Sequence, residues 1–263
     1  MPLPDPSLPL AADLHGKVVL ISGATGGLGR PIALACARAG ATVVLHARVV
    51  RKLEELYDEI VAAGGPEPTI LPLDLAKAQA ADFGNVASAI DAQLGRLDAL
   101  VHTAAQLGSL GPVEHQSFDS WLAVLRVNLA AALGLTRSLA RLLEASVDAS
   151  VTFTLDTRGE TPKAYWGAYA ASKAGLGALA TTLADEWEDR ERMRVNAVVP
   201  GPIRTPLRNL THPAEDASAL PLPERLVPLY LHLVAGQRKD ESGARIDAQA
   251  WLAGAPAVTS LLP

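Results

Sequence analysis

The chain holds a single cysteine, Cys36, among 263 residues. One thiol cannot build a disulfide framework, so the fold has to rest on its packing. Cys36 lies in an apolar helical stretch, residues 32–39, and reads as a small core residue rather than a reactive one. Charge of one sign is also scarce. Lys and Arg total 23 against 28 Asp and Glu, a formal net charge of -5, with no block of like charges. A nucleic-acid partner would need a basic face, so that class is excluded. No uncharged apolar run reaches about 18 residues, so no membrane-spanning segment is expected. The opening Met1-Pro2-Leu3-Pro4-Asp5-Pro6 lacks the charged and apolar regions of a signal peptide. It reads as a flexible arm over residues 1–12, and the expected compartment is the cytoplasm. No metal site is expected.

Hydrophobic residues make up 49% of the chain, enough for a sizeable core. Short β-branched runs alternate with longer helical ones. Strands are predicted over 17–22, 41–47, 69–73, 99–102, 150–155 and 194–199, and helices over 27–40, 50–63, 77–94, 117–145 and 165–191. Ser117 is a plausible cap. Strands separated by helices imply βαβ crossovers, and near-continuous apolar strands imply cover on both faces. The expected fold is therefore α/β, a doubly wound parallel sheet of Rossmann type in three α/β/α layers. Six strands are visible as runs and the expected sheet has seven. A single domain spans 13–263. Residues 202–228 are rich in Pro and polar residues and read as a substrate-covering loop near the carboxyl edge of the sheet.

Between the first strand and the first helix stands Ser22-Gly23-Ala24-Thr25-Gly26-Gly27-Leu28-Gly29. Glycine makes the tight turn, admits a pyrophosphate to the backbone and lets helix and strand pack closely, while the helix N-terminus offers free N–H groups. In this context the cluster points to a dinucleotide. The second strand ends in Leu45-His46-Ala47-Arg48. An acidic residue there would hold a ribose 2′-hydroxyl; Arg48, with Arg51 nearby, instead suits a 2′-phosphate. The reading is NADP(H) rather than NAD(H).

Tyr169 and Lys173 are four residues apart on the last long helix and share one face. An ammonium near a phenol stabilises the phenolate and lowers its pKa, which makes Tyr169 a usable proton donor or acceptor. Tyr165 has no lysine four residues on, so it is the weaker candidate.

Taken together, these pieces resemble the short-chain dehydrogenase/reductase family over nearly the whole chain. The matching segments are Ser22 to Gly29, Leu73-Asp74-Leu75, Val101 to Ala105, Val127-Asn128, Tyr169 with Lys173, and Pro200-Gly201 with Thr205. The likeness is greatest to a little-characterised bacterial branch with the Trp166 to Lys173 sequence and Asp247 to Gln249 near the end. The resemblance implies hydride transfer between a nicotinamide and a carbonyl or alcohol carbon. It makes Tyr169 the proton carrier, while Lys173 lowers its pKa and holds the nicotinamide ribose, and Asn128 positions a water. Gly23, Thr25, Gly27, Leu28 and Gly29 would hold the pyrophosphate side, with Arg48 at the 2′-phosphate. Asp74 and Leu75 would lie at the adenine. Ala104, Pro200, Gly201, Ile203 and Thr205 would complete the cofactor site. The partners implied are a small-molecule substrate and further copies of the chain, as a homodimer or homotetramer.

Two positions depart from the family pattern. His102-Thr103-Ala104-Ala105 stands where the family has Asn-Asn-Ala-Gly, and Thr103 keeps a hydrogen-bonding group there. Asp156 stands where the family has a serine that hydrogen-bonds the substrate oxygen, thirteen residues before Tyr169. An ionised carboxylate has the wrong sign for a developing oxyanion and would raise the Tyr169 pKa. Asp156 could be protonated by burial, Thr157 or Thr154 could supply the hydroxyl, or Asp156 could pair with Arg158 or a cationic substrate. The alternative to an active enzyme is a catalytically impaired NADP(H)-binding or sensor protein.

Overall fold

A strand buried on both faces favours apolar residues in succession, and Val18–Ser22 has four, Val18 to Ile21, before the buried Ser22. Its side chains alternate between two cores. Val19 and Ile21 enter one cluster, Val18 and Leu20 the other. The computed structural model describes residues 3–6, 12–236 and 242–262.

In chain order the strands are β1 (Val18–Ser22), β2 (Thr42–Ala47), β3 (Thr69–Pro72), β4 (Ala99–His102), β5 (Ala149–Thr154), β6 (Met193–Val199), β7 (Ala244–Asp247) and β8 (Val258–Ser260). They form one sheet in the order β3-β2-β1-β4-β5-β6-β7-β8. All neighbours pair parallel except β7 with β8. Among the described residues the sheet thus has eight strands, not the expected seven. The addition, β8, is three exposed residues long, too short to leave a readable pattern.

The helices are α1 (Gly29–Arg38), α2 (Val50–Ala62), α3 (Ala80–Leu94), α4 (Phe118–Leu125), α5 (Ala131–Glu144), α6 (Thr157–Glu160), α7 (Gly167–Glu186), α8 (Pro206–Thr211), α9 (Val227–Ala235) and α10 (Ala248–Leu252). Helices α1, α2 and α9 bury Ile32, Leu53, Leu56, Leu229 and Leu233 on one face of the sheet. Helices α3, α5 and α7 bury Phe83, Ile90, Leu139, Leu143, Leu176 and Leu183 on the other. The three-layer doubly wound architecture is as expected.

Several helices differ from their predicted spans. The helix expected over 117–145 is interrupted by a π-turn at Arg126–Ala130. Ser117 does cap its start, accepting from the Ser120 amide. The helix expected over 165–191 runs from Gly167 to Glu186. Tyr165 lies at φ +76°, a left-handed conformation that no helix can begin with. Helix α3 starts at Ala80, fixed by a reciprocal cap between Gln79 and Asp82. The combined run Phe118–Glu144 is long and apolar enough to cross a membrane by length and composition, with a mean hydropathy of 1.3. Its Leu135, Leu139, Leu142 and Leu143 are buried in the core beneath the sheet.

Of the arm expected over 1–12, residues 1–2 and 7–11 lie outside the described residues. The Pro4 carbonyl accepts a hydrogen bond from Trp251 Nε1 at 2.7 Å. The stretch expected as a loop over 202–228 contains α8 and two 3-10 turns, Ala217–Ala219 and Pro223–Leu226.

Candidate active site

In an open α/β sheet the crevice for a ligand opens where strand order reverses, outside the carboxyl ends. Here that point lies between β1 and β4, and a cleft of about 870 Å³ opens there. Its floor is the turn between β1 and α1. Gly23 sits at φ +74°, and a Cβ there would lie 2.7 Å from Ala104 Cα. A Cβ on Gly29 would run into the Gly23 carbonyl. Glycine at these two positions lets the turn close on itself and on the segment after β4, and the same turn lines the cleft, which fits the pyrophosphate of a dinucleotide. Thr25, Gly27 and Leu28 line the same wall.

Arg48 and Lys52 reach the cleft from the end of β2 and the start of α2, both exposed. Lys52 escaped the sequence reading, although its place on the first turn of α2, four residues past Arg48, was a usable signal. Arg51 instead pairs with Glu55 at 3.6 Å. Asp74 and Leu75 line the cleft after β3, and Asp74 Oδ1 accepts from the Ala76 amide. His46, also in the wall, is 2% exposed. Burial lowers its pKa to about 4, so it is neutral. Thr103 does keep a bond, donating to the Ser22 carbonyl at 2.6 Å, which ties β4 to β1.

Pro200, Gly201, Ile203 and Thr205 line the far side. Thr205 caps α8 through its hydroxyl. The loop is clamped from below by Gln249, whose Nε2 donates to the carbonyls of Pro200 (2.7 Å) and Pro202 (3.2 Å). Asp247 in turn caps α10 and so places Gln249. This gives a structural purpose to the Asp247 to Gln249 segment that the sequence could only match by likeness.

Tyr169, Asp156 and Lys173 meet at the inner end of the cleft. Tyr169 and Lys173 are buried on the first turns of α7. The Tyr169 hydroxyl donates to Asp156 Oδ2 at 3.0 Å, while the Arg158 amide donates to Asp156 Oδ1 at 2.8 Å. Asp156 thereby caps α6. Gly159 is what lets α6 press on α7, since a Cβ there would lie 2.7 Å from the Lys173 carbonyl carbon. The Lys173 ammonium donates to the Thr154 carbonyl at 2.8 Å and lies 5.9 Å from the Tyr169 ring centre. Burial lowers its pKa to about 8, and the Asp156 charge opposes that shift. Tyr169 is pushed well above its ordinary value, first by burial and then by the charge and hydrogen bond of Asp156. The sequence reading had Lys173 lowering the tyrosine pKa and an ionised Asp156 raising it. Here the shift is upward, with burial as its first cause.

The three possibilities left open for Asp156 are narrowed. The Thr154 hydroxyl is engaged with the buried Tyr230 hydroxyl at 2.9 Å, so it is not aimed at a substrate. The Arg158 guanidinium stacks 4.7 Å above the Trp166 ring and makes no ion pair to Asp156. Trp166 and His212, 6.1 Å apart, form a wall over this end that the sequence reading did not assign.

Asn128 lies one layer behind, outside the main cleft and 1% exposed. Its Oδ1 accepts from the Gln106 amide, and Nδ2 donates to the Gln106 carbonyl and to Ser172 Oγ. Ser172 Oγ donates to the Tyr169 carbonyl at 2.7 Å. Beside Asn128 is a void of about 10 Å³, also lined by Ser22 and His102, close to the size of one water. No cluster of metal-ligating side chains occurs among the described residues.

A family model described as short chain dehydrogenase matches residues 17–216. The chain is 36% identical over 236 residues to the uncharacterized oxidoreductase YciK of Escherichia coli strain K12, covering 90% of this chain and 93% of that one. The structure of a short chain dehydrogenase from Pseudomonas syringae superposes with a TM-score of 0.88 at 38% identity, covering 92% and 98% of the two chains. A short chain dehydrogenase from Shigella flexneri 2a, solved in complex with NADP, gives 0.87 at 35% identity, covering 91% and 100%. Sheet order, glycine-lined cleft and likeness along nine-tenths of the sequence lead to one assignment: the chain belongs to the short-chain dehydrogenase family of oxidoreductases.

Proposed function

We propose that the chain is an NADP(H)-dependent oxidoreductase that moves a hydride between the nicotinamide and a carbon double-bonded to a heteroatom, with Tyr169 at that heteroatom. The observation that carries this reading is the buried Tyr169 hydroxyl at the inner end of a glycine-floored cleft, with Lys173 packed beside it. When bound, the reduced nicotinamide supplies the hydride. The protein's share is to hold the dinucleotide's pyrophosphate on Gly23 to Gly29 and to keep water out beneath Trp166 and α8. With a carbonyl substrate the Tyr169 hydroxyl exchanges a proton with the oxygen, and Asn128 holds a water in the void behind it. Arg48 and Lys52, exposed beside an uncharged Ala47, support a 2′-phosphate, and the Shigella flexneri protein was solved with NADP. Residues 202–228 cover the substrate, since Leu207, Leu210 and His212 form the cleft's roof. The exposed Phe118 and Leu133 support association into a homodimer or homotetramer, which light scattering tests.

The test is NADPH oxidation against a panel of carbonyl and imine compounds, alongside binding of NADPH and NADH. Turnover with at least one compound and tighter NADPH binding are expected. Equal or better binding of NADH would overturn the cofactor assignment.

One observation favours a second reading. The Tyr169 proton is directed at Asp156 rather than into the cleft. A protein that binds NADP(H) without turnover would show tight NADPH binding, no oxidation with any compound, and turnover only after Asp156→Ser.

A further inference from the structure

We infer that the substrate is a protonated imine or the matching amine, its cationic nitrogen paired with Oδ2 of Asp156. The inference rests on the hydride-transfer reading above and names the substrate class for it.

Hydride addition to a neutral ketone builds negative charge on oxygen, and that charge needs a donor aimed at it. This site offers the reverse. The group at the donor position is a carboxylate, and the one proton of Tyr169 is given to it. Asp156 makes no ion pair among the described residues. Lys173 points to the Thr154 carbonyl, and Arg158 lies on the Trp166 ring. Each carboxylate oxygen can accept two hydrogen bonds, and Oδ2 accepts one, from Tyr169. A carboxylate that lines a partly buried cleft, keeps acceptor capacity and has no cation in direct contact favours a cationic ligand.

An iminium group meets every one of these conditions. It arrives with its own positive charge and its own N–H, so no protein acid is required. The hydride from NADPH bonds to the iminium carbon, and the C=N π pair becomes the nitrogen lone pair. The imine carbon is reduced, the nicotinamide is oxidised, and the amine leaves neutral or takes a proton from solvent. Asp156 holds the nitrogen throughout, with Tyr169 fixing the carboxylate's orientation.

The experiment uses the full-length protein with 1-pyrroline as the imine probe and cyclopentanone as the matched ketone, under conditions where the imine is protonated. The expected kcat/KM for 1-pyrroline exceeds that for cyclopentanone by ~100-fold, the usual effect of one donor of the wrong sign or absent. Asp156→Ser is expected to reverse the order. Independently of turnover, calorimetry on the NADP-loaded protein is expected to show pyrrolidinium binding, with cyclopentanol much weaker and pyrrolidinium lost on Asp156→Ser. NADPH affinity checks that the variant is folded, and the isosteric Asp156→Asn provides the same readouts if it is not. Ketone turnover equal to or above that of 1-pyrroline overturns the inference and leaves the hydride-transfer reading standing. Pyrrolidinium affinity unmoved by either variant overturns it as well. No turnover of either probe overturns it in favour of the non-catalytic reading, and failure to bind NADPH overturns both.

Discussion

Tyr169 and Asp156 share one hydrogen bond, 3.0 Å from hydroxyl to Oδ2, at the inner end of the cleft. The bond places an acid and a base of the site in direct contact. It holds the tyrosine neutral far above its ordinary range, since burial and a neighbouring negative charge act in the same direction.

Tyr169→Phe is expected to leave NADPH binding intact and to lower kcat by roughly 10²–10⁴ for carbonyl substrates, the range for a positioned proton carrier. For an iminium substrate the loss is expected to be smaller, because Tyr169 then orients Asp156 rather than supplying a proton. Steady-state kinetics with both probes measures the difference.

Asp156→Asn removes the charge, the second cause of the raised Tyr169 pKa, keeps an oxygen that can accept from the hydroxyl, and leaves burial, the first cause. The tyrosinate is therefore expected to form at lower pH than in the wild type. Difference absorbance against Tyr169→Phe isolates the titration from the other tyrosines. An unmoved transition would mean that burial alone sets the value.

Lys173 has a folded pKa of about 8 against an ordinary 10.5. Below pH 8 both folded and unfolded chains carry the proton, and the buried charge is a cost. Above it the folded state releases the proton first, so the cost is relieved as pH rises toward 10.5. The wild type is expected to gain stability relative to Lys173→Met across that window, by an amount on the order of a few kcal/mol. Urea midpoints of the two proteins at neutral and alkaline pH give the difference. A constant gap would exclude the depressed pKa.

Arg48→Ala is expected to weaken NADPH binding about 10- to 100-fold, as for a lost hydrogen bond to a charged group, with NADH binding nearly unchanged. Fluorescence titration with both cofactors reads the ratio.

Gln249→Ala removes the donor shared by the Pro200 and Pro202 carbonyls. The expected cost is about 1–2 kcal/mol of stability. NADPH affinity is expected to fall with it because the loop bordering the cleft loses its clamp. A stability loss without any change in NADPH affinity would make Gln249 merely structural.

The βαβ order, the glycine turn and the Tyr169–Lys173 pair were legible because each is set by local pattern: continuous apolar strands, a strand-to-helix turn, a four-residue helical spacing. The contacts made across the chain were not. Nothing near Gln249 says that it reaches a loop 49 residues earlier, and nothing near Trp166 says that it faces His212. For the Tyr169 shift, a lowering lysine and a raising aspartate were both visible in sequence, and which would prevail was not. Burial, the first cause, is a property of the assembled fold. β8 and the break at residues 126–130 escaped because three exposed residues and one extra residue per turn leave no periodic trace.

That break has a consequence for how the chain can vary. A π-turn carries one residue more than an α-helical turn and takes up, within one widened turn, the roughly 100° that an extra residue would otherwise add. Asn128 sits inside it, and Leu135, Leu139, Leu142 and Leu143 follow it into the core. Deleting one residue of 126–130 would let the helix run on as a regular α-helix with its leucine row still on the sheet. What it would disturb is the widened turn itself, and with it the placement of the Asn128 amide against Gln106 and Ser172. The site and the core can therefore vary separately along this helix.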